Sequence, residues 1–524
     1  MRLMKNGSLR ALVFAGVVCG SLGAGPGPVE PFEIERGLVP ANRVDSLVQA
    51  GLKKRGIEPA HLCSDAVFIR RVYLDVIGAL PEPAQVEKFL QDKAPNKRAA
   101  LIDALLEEPR YAEYWAMKWA DLLRVKSEFP INLWPNAVQA YHRWIRDALR
   151  ENKPYDQFVR ELLTSSGSNF RVPPVNFYRA VQGRQPTAIA EAVALTFMGV
   201  RLERWPEERR SQMARFFSRI AYKATAEWKE EIVYLDPTPA GPLDAVFPDE
   251  TVVRIEADQD PREVFAKWLI TPTNPWFARN IVNRTWSWLL GRGIIHEPDD
   301  IRPDNPPVHP ELLTFLEREF VKSRYDLKAL YRLILNSRTY QQSSIPRSRH
   351  PEAVAFFACY PVRRLEAEVL LDALCQMLGG GQGYESAIPE PFSFIPDYQP
   401  AITLADGSIS SPFLELFGRP ARDTGLESER NNQPTDAQRL YLLNSSEIQR
   451  RLQNSQRLRR GLPGRKNPAA AIRQIYLLIL SRYPTPAELA VVEAYFRGSG
   501  SRPDQALNDL AWALINSKEF LYRH

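Results

Sequence analysis

The chain has 524 residues, room for about three domain-sized units with sizeable hydrophobic cores. Its 44% hydrophobic and 25% charged residues are ordinary for a folded protein and exclude a disordered or collagen-like chain. The formal net charge of +6 favours acidic partners, but the densest basic stretches, Arg450 to Arg465 and Glu203 to Arg215, lack an aromatic-rich motif, so nucleic acid is not an expected partner.

Residues 1–25 read as a signal peptide: Arg2, Lys5 and Arg10, then an apolar run from Ala11 to Val18, then small residues from Gly20 to Gly25. The run is too short to span a bilayer, so no transmembrane anchor is expected after its removal, and the predicted location is periplasmic, secreted or cell-surface. Bulky Val18 before Cys19 argues against lipid attachment. Cys63, Cys359 and Cys375 then remain, and Cys359 and Cys375 either bridge or stay as buried thiols in their apolar helical contexts.

The periodicity predicts a mainly α protein, a multi-helical body with a small β-containing insert. Residues 26–64 form an N-terminal linker and leading helix. A first helical domain covers 65–229, with helices at Ala137 to Arg150, Tyr155 to Thr164, Thr187 to Met198 and Glu208 to Lys223. The alternating runs EIVYLD and TVVRIEAD mark a strand-bearing insert at 230–260. A second helical core at 261–378 carries helices at Pro261 to Leu269, Phe277 to Leu290, Pro310 to Lys322, Leu327 to Leu335 and Arg363 to Leu378. Residues 379–435 are a Gly/Pro-rich loop region, and 436–524 return to helix.

One internal echo is visible. VYLDVIGALPEPAQV at Val72 to Val86 matches IYLLILSRYPTPAEL at Ile475 to Leu489, with Tyr, Leu, Pro, Pro and Ala at equal offsets. Both read as helix, proline turn and a second helix that starts at the second Pro, where the missing N–H costs nothing.

The stretch NRTWSWLLGRGIIHEPDDIRPDNPPVHPELL concentrates the candidate chemistry. Ala278, Ile281, Val282, Trp286 and Leu289 make an apolar helix face that stops at Gly291. In the loop beyond, His309 with Asp300 would suit a base and its orienting carboxylate, and Arg284 with Arg302 would clamp an acidic group. The architectural alternative is a buried network holding a proline-rich crossover, with Asp304 or Asn305 capping amides and Asp299 as the exposed member. Asp299, Asp300, Asp304, Asn305, His309 and Glu311 offer calcium ligands, but without the regular alternation of a calcium loop. A second mixed-charge cluster, Arg422, Glu427, Glu429 and Arg430 beside Arg419, would line a groove or form a solvated loop. No Cys/His cluster has metal spacing, and no hydrolase, metalloprotease or nucleotide motif is present, so no cofactor is predicted.

The segments FIRRVYLDVIGALPEPAQVEKFL, RYAEYWAMKWADLLRV, DPREVFAKWLITPTNPWFARNIVNRTWSWLLGRGIIHEPDDIRPDNPPVHPELL, RRLEAEVLLDAL and AQRLYLLNSSEI together resemble a known pairing. It is that of planctomycete-type exported proteins in which a PSCyt-type domain of unknown function precedes a PSD-type domain, often associated with cytochrome c. The resemblance runs from about Asp65 to His524 and marks Asn283, Arg284, Asp300, Arg302, Asn305 and His309 as a core pattern. It also leads one to expect a C-x-x-C-H run after Leu195-Thr196-Phe197-Met198-Gly199, where this chain has Arg201-Leu202-Glu203-Arg204-Trp205-Pro206. A second thiol-bearing run is expected where Arg422 to Arg430 stand. Both departures argue against Cys-bound haem or metal.

The leading functional expectation is a non-catalytic periplasmic or cell-surface binding or assembly protein whose partner is a cell-envelope protein or an acidic glycan. The alternatives are an enzyme on an acidic polysaccharide using the Asn283 to Glu311 cluster, and a redox accessory working through a haem-bearing partner. A His309 open to a pocket would favour the enzyme; a His309 buried among its neighbours would favour the binding protein.

Overall fold

The computed structural model describes residues 29–34, 38–127, 133–238, 241–389, 391–393, 395, 398–460, 468–498 and 503–524. The expected signal peptide and Cys19 lie outside them. The fold is mainly α, with a few short antiparallel strands. Helices Tyr155–Thr164, Pro261–Leu269, Phe277–Leu290, Pro310–Lys322 and Leu327–Leu335 lie where the apolar periodicity puts them. Their ends have local causes. Asp260 and Asp326 cap their helices by accepting from Arg262 N and Ala329 N, and Gly291 closes its helix in the left-handed conformation at φ 73°.

Three helices end differently from their sequence pattern. The one expected to reach Lys223 stops at Arg215, and Ile220–Ala224 instead forms a strand. The one expected from Arg363 starts at Ala367, because Arg363–Arg364 pairs as a short strand with Tyr522–Arg523 near the end of the chain. The third, Pro186–Val193, opens into a π-helical turn, Ala194–Met198, closed by Gly199 at φ 66°.

The alternating runs do form strands, but in separate sheets. Glu231–Leu235 lies between Gly167–Ser168 and Ile220–Ala224, whereas Val252–Ile255 pairs with Leu243–Val246.

The internal echo is repeated in the backbone. Gly78 and Ser481, at equivalent offsets, both turn through left-handed geometry at φ 60° and 58°. Helices Pro83–Gln91 and Pro486–Gly498 follow. Glu82 and Gln85 form a capping box, and Thr485 exchanges the equivalent bonds with Glu488. The two hairpins pack on one another: Arg70 donates to Ile479 O at 2.8 Å and to Phe520 O at 2.9 Å. Next to it, Arg71 donates to Tyr340 O and Gln342 O at 2.6 and 2.8 Å. Adjacent arginines on helix Asp65–Val76 thus tie down both the last turn of the chain and the turn after Leu327–Leu335.

The leading helix, Arg43–Lys54, is locked into the second half by fully buried Asp45, which accepts from Arg338 N, Thr339 N and Thr339 Oγ1. Cys63, Cys359 and Cys375 are free thiols. Among the described residues no helix is long and apolar enough to cross a membrane.

Candidate functional site

Helix Phe277–Leu290 presents three polar residues inward from one face, and each fixes a different piece of chain. Asn280 donates to Thr196 O at 2.8 Å, taking a carbonyl of the π-helical turn. Asn283 grips the backbone of Ile295 from both sides, donating to its carbonyl at 2.9 Å and accepting its N–H at 2.8 Å. Arg284 pairs with Asp299 at 2.7 Å and reaches Glu427 at 3.5 Å. Burial works against the Arg284 charge, but Asp299 and Glu427 outweigh it and hold the guanidinium above its ordinary range.

Asp299 is therefore the opposite of the solvent-facing residue expected. Its side chain is 0% exposed, and its second oxygen accepts Glu427 N at 2.6 Å. Asp300 is the outer member of the doublet, paired with Arg204 at 2.7 Å and Arg302 at 3.2 Å, and Arg302 also holds Asp304 at 3.0 Å. Asn305 does not cap amides; it donates to His296 O and Asp300 O, and helix Pro310–Lys322 starts without a side-chain cap. The loop is braced by arginines and by its own carbonyls.

His309 does not join Asp300. Its ring is buried against Phe356 and Phe357, with centroids 5.1 and 6.0 Å away, and so near Gly51 that a Cβ there would lie 2.3 Å from Cε1. Nε2 is buried without a partner. Burial, helped by Arg55, pushes the imidazole down to about 4 against the opposing pull of the Phe356 backbone and Glu311. At neutral pH the ring is thus uncharged, packed between Phe356, Phe357 and Gly51.

The second cluster is bonded into the fold by Arg422 and Arg430, while Glu427 and Glu429 stay partly exposed. Arg422 is buried and donates to Asp121 at 2.9 Å and to Ala405 O at 2.8 Å. Arg430 bridges Asp121 and Glu368 at 2.7 Å each. Glu429 folds back to accept Asp423 N and Thr424 N. Glu427 accepts from Trp288 Nε1, and its carboxyl is pushed up by burial, which Arg284 and Lys118 oppose.

Sequence reasoning missed the partners of this network. Lys118 pairs with Glu366 at 2.6 Å; Arg523 meets Glu366 at 2.6 Å and Asp75 at 3.2 Å; Tyr340 and Tyr360 donate their hydroxyls to Asp75. The signal that would have found them is a charge set among apolar neighbours within a helix, as in AMKWADLL around Lys118 and Asp121 and RLEAEVLL around Glu366 and Glu368. A buried seam of charge thus joins α-helical elements from both halves of the chain, each carboxylate facing one or more cations.

This seam lies where two long sequence signatures meet. The signature of PSCyt2, described as a protein of unknown function (DUF1549), matches residues 43–221, and that of PSD1, a protein of unknown function (DUF1553), matches 261–496. The chain is a member of the paired PSCyt2 and PSD1 family. No curated protein and no solved structure matches it. The PSCyt2 part supplies Lys118, Asp121 and Arg204; the PSD1 part supplies Arg284, Asp299, Asp300, Glu366 and Glu427. The two runs that lack the expected thiols come together on the Asp299-Asp300 doublet: Arg204 binds Asp300, and Glu427 binds Asp299 through its amide. Among the described residues no three His, Cys, Asp or Glu side chains gather as a metal site would require.

Proposed function

We propose that this chain is a non-catalytic binding or assembly protein of the cell envelope or exterior, in which the Asn283 to Leu313 stretch is the clasp between the PSCyt2 and PSD1 halves. The observation that carries the reading is the closure of His309: it is buried, pressed on Phe356 and Gly51, and its Nε2 meets no partner among the described residues. The base and orienting carboxylate that an enzyme reading needs do not touch, and Arg284 is occupied by Asp299 rather than open to a ligand. Export is carried by the basic and apolar leader pattern of the sequence.

The test is an assay of purified protein for release of reducing ends from polygalacturonate and from sulfated glycans. No turnover above a buffer control is expected. Turnover that disappears in His309→Gln at unchanged fold would replace this reading with the enzyme.

A further inference from the structure

The clasp leaves the basic stretch that begins at Arg450 without a role, and its residues Arg450, Arg451 and Arg457 border a cleft of about 840 Å³. The cleft opens between the end of helix Ala367–Leu378, helices Ser446–Asn454 and Gln456–Arg460, helix Pro468–Leu480 and the start of helix Pro83–Gln91. Leu378, Leu458, Ile475 and Leu478 give it an aliphatic lining, and Arg450, Arg451 and Arg457 stand with them.

The charge there is unbalanced. Glu82 is the one carboxylate among the lining residues, and it is already shared by Arg457 and by Gln376 at 2.9 Å. Arg451 is held in place by Glu447 and Gly381 O, at 2.7 and 2.8 Å. Arg450 is exposed, and among the described residues it is bonded to nothing. An aliphatic lining beside a cationic rim favours a ligand with carboxylates on one side and branched apolar groups on the other. The lining offers no aromatic ring for a sugar to stack on.

We infer that this cleft docks an acidic, leucine-rich segment of a partner protein, an inference that rests on the binding-protein reading. The partner's apolar side chains would enter between Leu458 and Leu478, and its carboxylates would meet Arg450 and Arg457, the charge pairing fixing its orientation.

The test is fluorescence anisotropy with a labelled synthetic helix-forming peptide that carries glutamates on one face and leucines on the other. Saturable binding is expected for the full-length mature protein, weakening as salt is raised. Arg450→Glu should weaken it about tenfold at an unchanged unfolding midpoint, and Arg457→Glu should act in the same direction. The same peptide with lysines for glutamates should not bind. The inference is overturned if the wild type shows no saturable binding, if Arg450→Glu binds as tightly as wild type, or if polygalacturonate or phosphatidylglycerol vesicles bind at Arg450 while the peptide does not. Glycan turnover by the same preparation would defeat the non-catalytic reading alone, and the peptide isotherm would still decide the cleft.

Discussion

Arg284 and Asp299 face each other at 2.7 Å with 1% and 0% of their side chains exposed, while Asp300, the next residue, turns outward to Arg204 and Arg302. One doublet of aspartates therefore serves two environments, and the two should respond differently to truncation. Asp299→Ala leaves a buried guanidinium short of its main partner and should cost about 3 to 5 kcal/mol. Asp300→Ala removes pairs whose arginines are 44% and 43% exposed and should cost about 0.2 to 1 kcal/mol. Denaturant unfolding of the two variants side by side measures the difference, and equal costs would contradict this placement.

His309 sets a pH dependence. Its imidazole is held down to about 4 in the folded chain, below its ordinary 6.5, so the unfolded chain binds the proton more readily. The stabilisation is complete above pH 6.5, shrinks as pH falls from there to 4, and levels off below. The contribution of His309 over that window is on the order of 3 kcal/mol. His142, pushed down by burial to about 3, and His524, to about 4, act in the same direction. Unfolding curves between pH 4 and 7 should therefore flatten, without losing their slope entirely, in His309→Gln.

Gly51 makes the His309 slot possible, since a Cβ there would lie 2.3 Å from Cε1 and 2.8 Å from Nδ1 of the ring. Because Phe356 and Phe357 back the imidazole, it has little freedom to retreat. Gly51→Ala should cost about 1 to 3 kcal/mol by overpacking. A thermal midpoint equal to wild type would show that the ring can move.

The thiols give a chemical test of the packing. Cys63 and Cys359 are buried, Cys375 is partly open, and burial pushes the thiols of Cys359 and Cys375 up. Ellman's reagent should label Cys375 slowly and the other two only on unfolding. Loss of two thiols on oxidation, restored by reductant, would instead point to a bridge within the chain.

The helices were readable because their periodicity is local, and Tyr155–Thr164 and Phe277–Leu290 end where Thr164 and Leu290 close the pattern. The strand Ile220–Ala224 was not, because it exists only by pairing with Glu231–Leu235, and Arg363–Arg364 is a strand only because Tyr522–Arg523 arrives from far along the chain. The candidate site was legible as a place but not as a set of pairs. Asp299 and Asp300 are equivalent in the sequence; what separates them is the position of Glu427 and Arg204, 128 and 96 residues away. The twin turns after Asn336-Ser337 and Asn516-Ser517 were also missed. In each the Ser hydroxyl donates at 2.6 Å to a carbonyl three residues back, Ile334 O or Leu514 O, a regularity that two short Asn-Ser pairs do not announce.

The most direct test of the clasp is a double-mutant cycle on Arg284 and Asp299, using Arg284→Met, Asp299→Leu and the two combined, followed by denaturant unfolding and by binding to acidic glycans. Each single variant should lose about 3 to 5 kcal/mol, and the double variant should recover at least about 2 kcal/mol of the summed loss, with glycan binding never above the wild-type background. Single variants that keep wild-type stability but lose a measurable glycan affinity would contradict the account and make this stretch a ligand site.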